Sequence, residues 1–355
     1  IVFLGTLVPV ILISIIDILF LKKMVNEKFS NRKLIVDVFK VFVIAYILMI
    51  LCWPATHQNI FVLPFKQLTE SLTQPFGVNL GLLNGNFYNT SETPKSLLVI
   101  NLFYKLPEFI LLSYIVFIYL IFKKKSFFNS QFKFFNTKLI LILFIISFPN
   151  LILLISPYRI YDGLRLFLYF IPYICIIPGL VIYYLITNYK IHISKILLTA
   201  IFSLFAYYLL IFFSLTPYQY TYLNVLNGNF SKAYKKFEND YWTISIKELV
   251  NKIPNNKNLL NNKELRLTFC GAADNNVKFY LKKIKNFQFK QVNWLTEDYD
   301  YIIMTNRTII PNVSDENMDK YNLTNIKTCF EKFKGKDLIS VERNGLILST
   351  LRKKL

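Results

Sequence analysis

Leu139–Ser156 reads LILILFIISFPNLILLIS, eighteen consecutive positions without an ionisable side chain. A helix needs about 17–25 mostly apolar residues to cross a hydrocarbon layer roughly 30 Å thick, so this stretch is long enough to span a membrane. Pro149 inside it would break a helix in water. In a helix bundle it is tolerated, because neighbouring groups take up the freed carbonyl. Working outward, five further runs read the same way: Ile1–Leu21, Leu34–Trp53, Leu106–Phe122, Leu166–Ile186 and Ile196–Leu215. The expected fold class is therefore a polytopic α-helical membrane protein of about six spans, kinked at Pro9, Pro149, Pro172 and Pro178.

Composition agrees. Of 355 residues 54% are hydrophobic and only 17% charged, against about 25% charged in an ordinary soluble domain. A net charge of +20 would fit nucleic acid only if the basic residues gathered on a soluble face. Here many of them flank the apolar runs, which excludes that partner. Cys52, Cys175, Cys270 and Cys329 form no CxxC pair and there are two histidines, so no structural zinc site is signalled. Metal chemistry would have to come through carboxylates.

Lys and Arg collect in short loops on the cytoplasmic side of a membrane. Three connections carry them: Lys22–Lys33, Lys123–Lys138 and Thr187–Lys195. Alternation then places the long loop 54–105, the short loop 157–165 and the tail after Leu215 on the outer face. Asp17, Asp37 and Lys40 lie near the cytoplasmic ends, within reach of headgroups, and Asp37 and Lys40 are spaced to pair along one helix. The run from Ile1 has no charged leader and does not read as a signal peptide. The chain reads as truncated at its N-terminus.

In the long loop, Phe65, Leu68 and Leu72 recur at helical spacing among polar residues, the pattern of a short helix lying on the membrane or of a solvated connector. The short loop is Ser-Pro-Tyr-Arg-Ile-Tyr-Asp-Gly-Leu-Arg over 156–165. Arg159 and Arg165, with Asp162 between them, could clamp a phosphate bidentately. The same residue types also make an interfacial turn with ordinary Arg–Asp pairing. His57, alone in the preceding loop, is a second binding candidate or a structural residue.

After Leu215 the chain turns polar, and residues 216–355 read as an extracytoplasmic α/β domain following the helical part, 1–215. Ser245 and Glu248 make a capping box, Ile246, Leu249, Val250 and Ile253 mark one helix face, and Pro254 stops it. Leu265–Cys270 and Tyr299–Met304 read as strands, and Asp274 opens a helix through Val277, Leu281 and Ile284. Asn344-Gly345 joins Leu338–Glu342 and Leu346–Leu351 as a hairpin. Cys270 and Cys329 share this domain, where an oxidising compartment would allow a bond; the expected state is two buried free thiols.

Three stretches carry a resemblance to a family. They are Leu83-Asn84-Gly85-Asn86-Phe87-Tyr88 with Pro94 and Leu106-Pro107; Tyr161-Asp162-Gly163-Leu164-Arg165-Leu166-Phe167-Leu168 with Pro172; and Pro217-Tyr218-Gln219-Tyr220-Thr221-Tyr222-Leu223-Asn224, continuing to Asp240-Tyr241-Trp242. In their order the chain resembles the C-terminal part of bacterial C-fold membrane glycosyltransferases, related to the dolichyl-phosphate-mannose protein mannosyltransferases (glycosyltransferase family 39). Leu166 and Thr216 stand where that pattern often has His. The resemblance implies a sugar donor on a polyprenyl phosphate, transfer at the outer face of a bacterial inner membrane, and a protein, lipid or glycan acceptor. It implies Arg159, Asp162, Arg165 and His57 as substrate-binding residues. The catalytic carboxylates, on the family's first outer loop, would fall upstream of Ile1. It allows a divalent metal, for which no ligand set here stands out, and it implies no other cofactor. The competing reading is a non-enzymatic envelope protein whose outer domain binds a glycan or partner. A transporter fits less well, because transport places polar groups near the membrane midplane and these spans keep theirs near the ends.

Overall fold

The structure is a computed structural model that describes residues 11–12, 15–16, 31–66, 80–89, 92–155, 160, 163–256, 259, 264–307 and 328–355. Most of the expected span Ile1–Leu21, with Asp17, and the expected surface helix at Leu68 and Leu72 lie outside the described residues, as do Arg159 and Asp162. The chain divides into two compact units, Ile1–Phe76 with Ile118–Ile155 and Leu166–Ile176, and Gly77–Phe117 with Ser156–Arg165 and Ile177–Leu355.

The long helices are α1 (Asn31–Cys52), α3 (Glu108–Gln131), α4 (Phe135–Ile155), α5 (Ile171–Asn188) and α6 (Ile191–Ser214), with the short α2 (Leu97–Lys105) ahead of α3. Among the described residues three helical stretches are long and apolar enough to cross a membrane: Phe135–Ile155, Phe167–Asn188 and Ile191–Ser214. A fourth is added if α2 and α3, bent by 108° at their junction, count as one span. The expected span Leu34–Trp53 falls on α1. On α1, Lys40 Nζ and Asp37 Oδ1 pair at 3.6 Å. Hydroxyls inside these apolar helices are satisfied locally: Ser147 donates to Leu143 O and Thr187 to Tyr183 O, the back-bonding that lets Ser and Thr sit in a helix without an orphan donor.

The expected span Leu106–Phe122 needs correction at both ends. Leu106 has an extended backbone (φ −80, ψ 141), because a following proline disfavours the helical region for the residue before it. The helix restarts only at Glu108. It then runs through the basic cluster Lys123–Lys125 to Gln131, with a break at Lys124 (φ −134).

In the second unit, β1 (Leu80–Leu83) and β2 (Asn86–Asn89) form an antiparallel hairpin. Asn84 (φ 48) and Gly85 (φ 90) turn it, both in the left-handed region that such two-residue turns require. The polar tail builds a five-stranded sheet in the order β4-β3-β5-β7-β6. Its strands are β3 (Leu265–Cys270), β4 (Phe289–Gln291), β5 (Tyr301–Thr305), β6 (Gly335–Arg343) and β7 (Leu346–Lys354). β3 is parallel to both β4 and β5, whereas β7 runs antiparallel to β5 and β6. The helices α7 (Ser245–Lys252), α8 (Asp274–Leu281) and α9 (Cys329–Lys332) complete the unit. α7 packs on β6 and β7, burying Ile246, Leu249 and Val250 as its periodicity predicts. The hairpin at Asn344-Gly345 forms as read, with φ 50 and 82.

Two expectations for this part fail. Ser245 does not close a capping box, since its hydroxyl donates to Asp240 Oδ2 at 2.6 Å and the residue before it offers no side-chain cap. A capping box does form at Thr328 and Glu331, at the start of α9. Cys270 and Cys329, expected as free thiols, are joined in a disulfide. α9 packs against β5, and Gly271 (φ 75) follows Cys270 where a Cβ would lie 3.0 Å from Cys329 Sγ and 2.6 Å from Thr305 Oγ1. The bridge sits in a buried cluster with Ile302, Met304 and Phe333, with Trp294, Tyr299 and Phe330 around it.

Candidate functional site

The described part of the loop 157–165 is held by the β1–β2 hairpin and by α2. Tyr88 lies across from Gly81 in the hairpin register, and a Cβ on Gly81 would be 2.2 Å from Tyr88 Cζ. The missing side chain is what lets the ring lie over the strand and its hydroxyl donate to Ile160 O at 3.2 Å. Ile160 N donates to Thr93 Oγ1 at 3.1 Å, so Ile160 is fixed by both its backbone groups and is fully buried. Three residues on, Gly163 takes φ 64, and a Cβ there would come 2.7 Å from Lys105 Nζ and 3.2 Å from Asn101 Oδ1. α2 thus brings an ammonium group and a buried amide against the turn that lies between Asp162 and Arg165.

The elbow after α2 is organised by one carboxylate and one amide. Glu108 Oε1 accepts from Val225 N at 2.6 Å, and Oε2 accepts from Tyr208 OH of α6 and from Tyr222 OH at 3.4 Å. Asn224 Nδ2 donates to Phe103 O at 2.6 Å and to Leu106 O at 2.9 Å, while Asn224 N donates to Tyr104 O at 2.9 Å. The carbonyls left open where α2 stops are therefore answered by a residue more than a hundred positions away. The hairpin tip is tied in as well, with Gly85 N donating to Lys236 O at 3.0 Å.

Beyond α6 two further carboxylates hold the sheet domain to the chain leaving that helix. Glu248 on α7 accepts from Arg343 Nη2 at 2.7 Å, from Tyr218 OH at 2.9 Å and from Lys252 Nζ at 3.0 Å. Burial opposes its charge, but the Arg343, Lys252 and Tyr218 hydrogen bonds outweigh that and hold the carboxyl below the ordinary range. Arg343 also donates to Thr216 O at 3.0 Å. Asp240 is fully buried, accepting from Ser245 N at 3.1 Å, Ser245 Oγ at 2.6 Å and Tyr220 OH at 3.3 Å. Burial pushes its carboxyl up to about 6, against those hydrogen bonds and the Arg307 charge. Burial and the neighbouring Asp240 charge push the Tyr220 hydroxyl well up.

The other expected site residues are placed as follows. Arg165 opens the 3-10 turn Arg165–Phe170. His57 lies in the first unit, where its Nε2 hydrogen-bonds Ile50 O at 2.8 Å near the end of α1. Among the described residues no three His, Cys, Asp or Glu side chains converge to hold a metal ion. Lys105 and Glu108 were missed from sequence. Their signal was available: two ionisable residues flank a proline at the edge of an apolar run, where charge is rare without a role. The chain matches no protein-family model, no curated protein and no solved structure.

Proposed function

We propose that the chain is a membrane glycosyltransferase that moves a sugar from a polyprenyl-phosphate donor to an acceptor at the outer face of a bacterial cell membrane. The observation that carries this reading is the convergence of the three stretches behind the family resemblance. Tyr88 of the first reaches Ile160, beside the second. Asn224 of the third reaches Leu106, and Phe103 on the helix whose Lys105 lies against Gly163 of the second.

In such a transfer the acceptor oxygen forms a bond to the anomeric carbon while the carbon–phosphate-oxygen bond breaks. The electron pair leaves with the lipid phosphate and the acceptor proton goes to a base. The chain's own contribution is to the leaving group. Arg159, Arg165 and Lys105 supply positive charge to its oxygens, with Asp162 orienting a guanidinium, and charge placed in advance costs no reorganisation when the bond breaks. The orientation of six spans with an outer tail rests on the basic connections, and the Cys270–Cys329 bond supports an oxidising compartment for the sheet domain.

The test is binding of a short-chain polyprenyl phosphate to the full chain in detergent. Arg165→Ala and Lys105→Ala should each weaken it by about tenfold to a hundredfold, the loss of one charge-assisted contact worth about 1.5–3 kcal/mol, with the circular dichroism unchanged. Unaltered binding in both variants would remove this loop from any phosphate site.

A further inference from the structure

The segment after α6 leaves the helix at Leu215 and then returns towards it. Tyr208 precedes Leu215 by seven residues, about 10 Å along a helix rising ~1.5 Å per residue. Tyr208 donates to Glu108, and so do Tyr222 OH and Val225 N. The stretch from Tyr222 to Val225 therefore lies level with a point two turns inside the end of an apolar helix. Its tip is apolar and bare, with Val225 70% and Leu226 49% exposed.

A second apolar feature lies beside the same exit. Asp240 (φ 46), Trp242 (φ 54) and Thr243 (φ 55) all sit in the left-handed region, which residues with a Cβ rarely adopt. That backbone buries Asp240, Thr243 and Ser245 while leaving Trp242 62% and Ile244 47% exposed. Asp240 is bound by Tyr220, and Tyr218 N bonds Leu215 O at the end of α6. The turn that carries the indole is thus tied through Asp240 and Tyr220 to the chain leaving the apolar helix. Of the exposed lysines in this segment, Lys232 lies in sequence between the two features and Lys247 three residues after the second.

We propose that Val225, Leu226, Trp242 and Ile244 form an interfacial collar inserted between the headgroups and acyl chains of the leaflet at the Glu108 end of α3. Indole rings favour this depth, where the ring is apolar and its N–H reaches water. The two lysines meet lipid phosphates and favour an anionic leaflet. The collar rests on α6 crossing the membrane and needs no transferase activity. Its function is to seat the sheet domain on the bilayer, so that a lipid-borne ligand enters the site from the side.

The experiment uses three variants of the full chain in vesicles of phosphatidylcholine and phosphatidylglycerol. One has Trp242 as its only tryptophan (Trp53→Phe, Trp294→Phe). One carries Val225→Trp with Trp53, Trp242 and Trp294 all changed to Phe. The third keeps Trp294 alone, half-buried against the disulfide cluster, as the reference outside the collar. Replacing the phosphatidylcholine with one brominated near the headgroup end of its chains should remove most of the emission of the first two and leave the third unchanged. Absence of bromolipid quenching at either Trp242 or position 225 overturns the collar. Quenching of Trp242 by a soluble oligosaccharide in place of bromolipid overturns it in favour of a sugar-stacking platform. Flotation with the vesicles and a folded circular dichroism spectrum report that the chain is inserted, and a single cysteine placed on α6 by Phe205→Cys that resists a water-soluble thiol reagent reports that α6 is, so failure of the span reading is distinguishable from failure of the collar.

Discussion

Asp240→Asn makes the most demanding forecast, because its sign runs against that of most carboxylates. Burial raises the Asp240 carboxyl from the ordinary 3.8 to about 6, so between those values the folded chain holds a proton that the unfolded chain has released. Its contribution to stability is fully present below pH 3.8, declines as pH rises, and is lost above about pH 6. At about 1.4 kcal/mol for each tenfold change, the swing is about 3 kcal/mol. Asparagine has no such titration and keeps one oxygen for Tyr220 and the Ser245 N–H. The assay is urea unfolding of the parent and variant chains in detergent from pH 4 to pH 7, followed by tryptophan emission. Other carboxylates, Glu248 among them, titrate in both proteins and cancel in the difference. The stability of the parent relative to the variant should fall across this window by an amount of that order. Parallel curves would show that Asp240 has the same proton affinity in both states and would refute the reasoning.

Reducing the Cys270–Cys329 bridge, or replacing both with serine, opens a link between positions 59 residues apart. The chain-entropy contribution is about 4 kcal/mol, so the urea midpoint of the sheet domain should drop sharply on reduction, read through Trp294; an unmoved midpoint would count against the bond. Glu108→Ala removes the acceptor of Val225 N, Tyr208 and Tyr222 and should cost about 2–4 kcal/mol. A double-mutant cycle with Tyr222→Phe should show a coupling of at least about 0.5 kcal/mol, and zero coupling would separate the two groups. Gly81→Ala places a Cβ inside the Tyr88 ring and should destabilise by about 1–3 kcal/mol, an effect that Tyr88→Ala in the same chain relieves. An additive pair would mean that the ring does not lie over that strand.

Elements whose residues carry one strong period were legible in the sequence. α4 and α6 are uniform apolar runs, β3 matches Leu265–Cys270, and Asn344-Gly345 marks its own hairpin. Legibility failed where a distant partner outbids a local signal. Ser245 has the spacing of a capping box, yet Asp240, five residues earlier, takes its hydroxyl. The pentapeptide Leu-Asn-Gly-Asn-Phe occurs at 83–87 and at 226–230. In the first it turns a hairpin and in the second it closes the 3-10 turn Val225–Asn227 at Gly228, because Asn224 and Val225 are fixed by the α2–α3 elbow. Lys105 and Glu108 were not read as parts of one site because the boundary between loop 54–105 and span Leu106–Phe122 fell between them, and the helix ahead of Pro107 was not expected. Of the residues expected to bind a phosphate, Arg165 is placed at the start of a turn, and the link of the preceding Gly163 to Lys105 depends on two segments about sixty residues apart that no local pattern connects.

The order of strands in the sheet has a consequence during synthesis. β5 is buried along its whole length, with β3 on one side and β7 on the other. β3 is made before β5, but β7 begins only about forty residues after β5 ends. At ~5–20 residues per second this is a delay of about 2–8 s. Throughout it, Tyr301-Ile302-Ile303-Met304-Thr305 offers an unpaired apolar edge, the kind that recruits other strands. The nascent chain needs that edge shielded on the side of the membrane where the sheet forms, so slowed release of the β6–β7 hairpin should raise aggregation before it lowers the stability of the finished molecule.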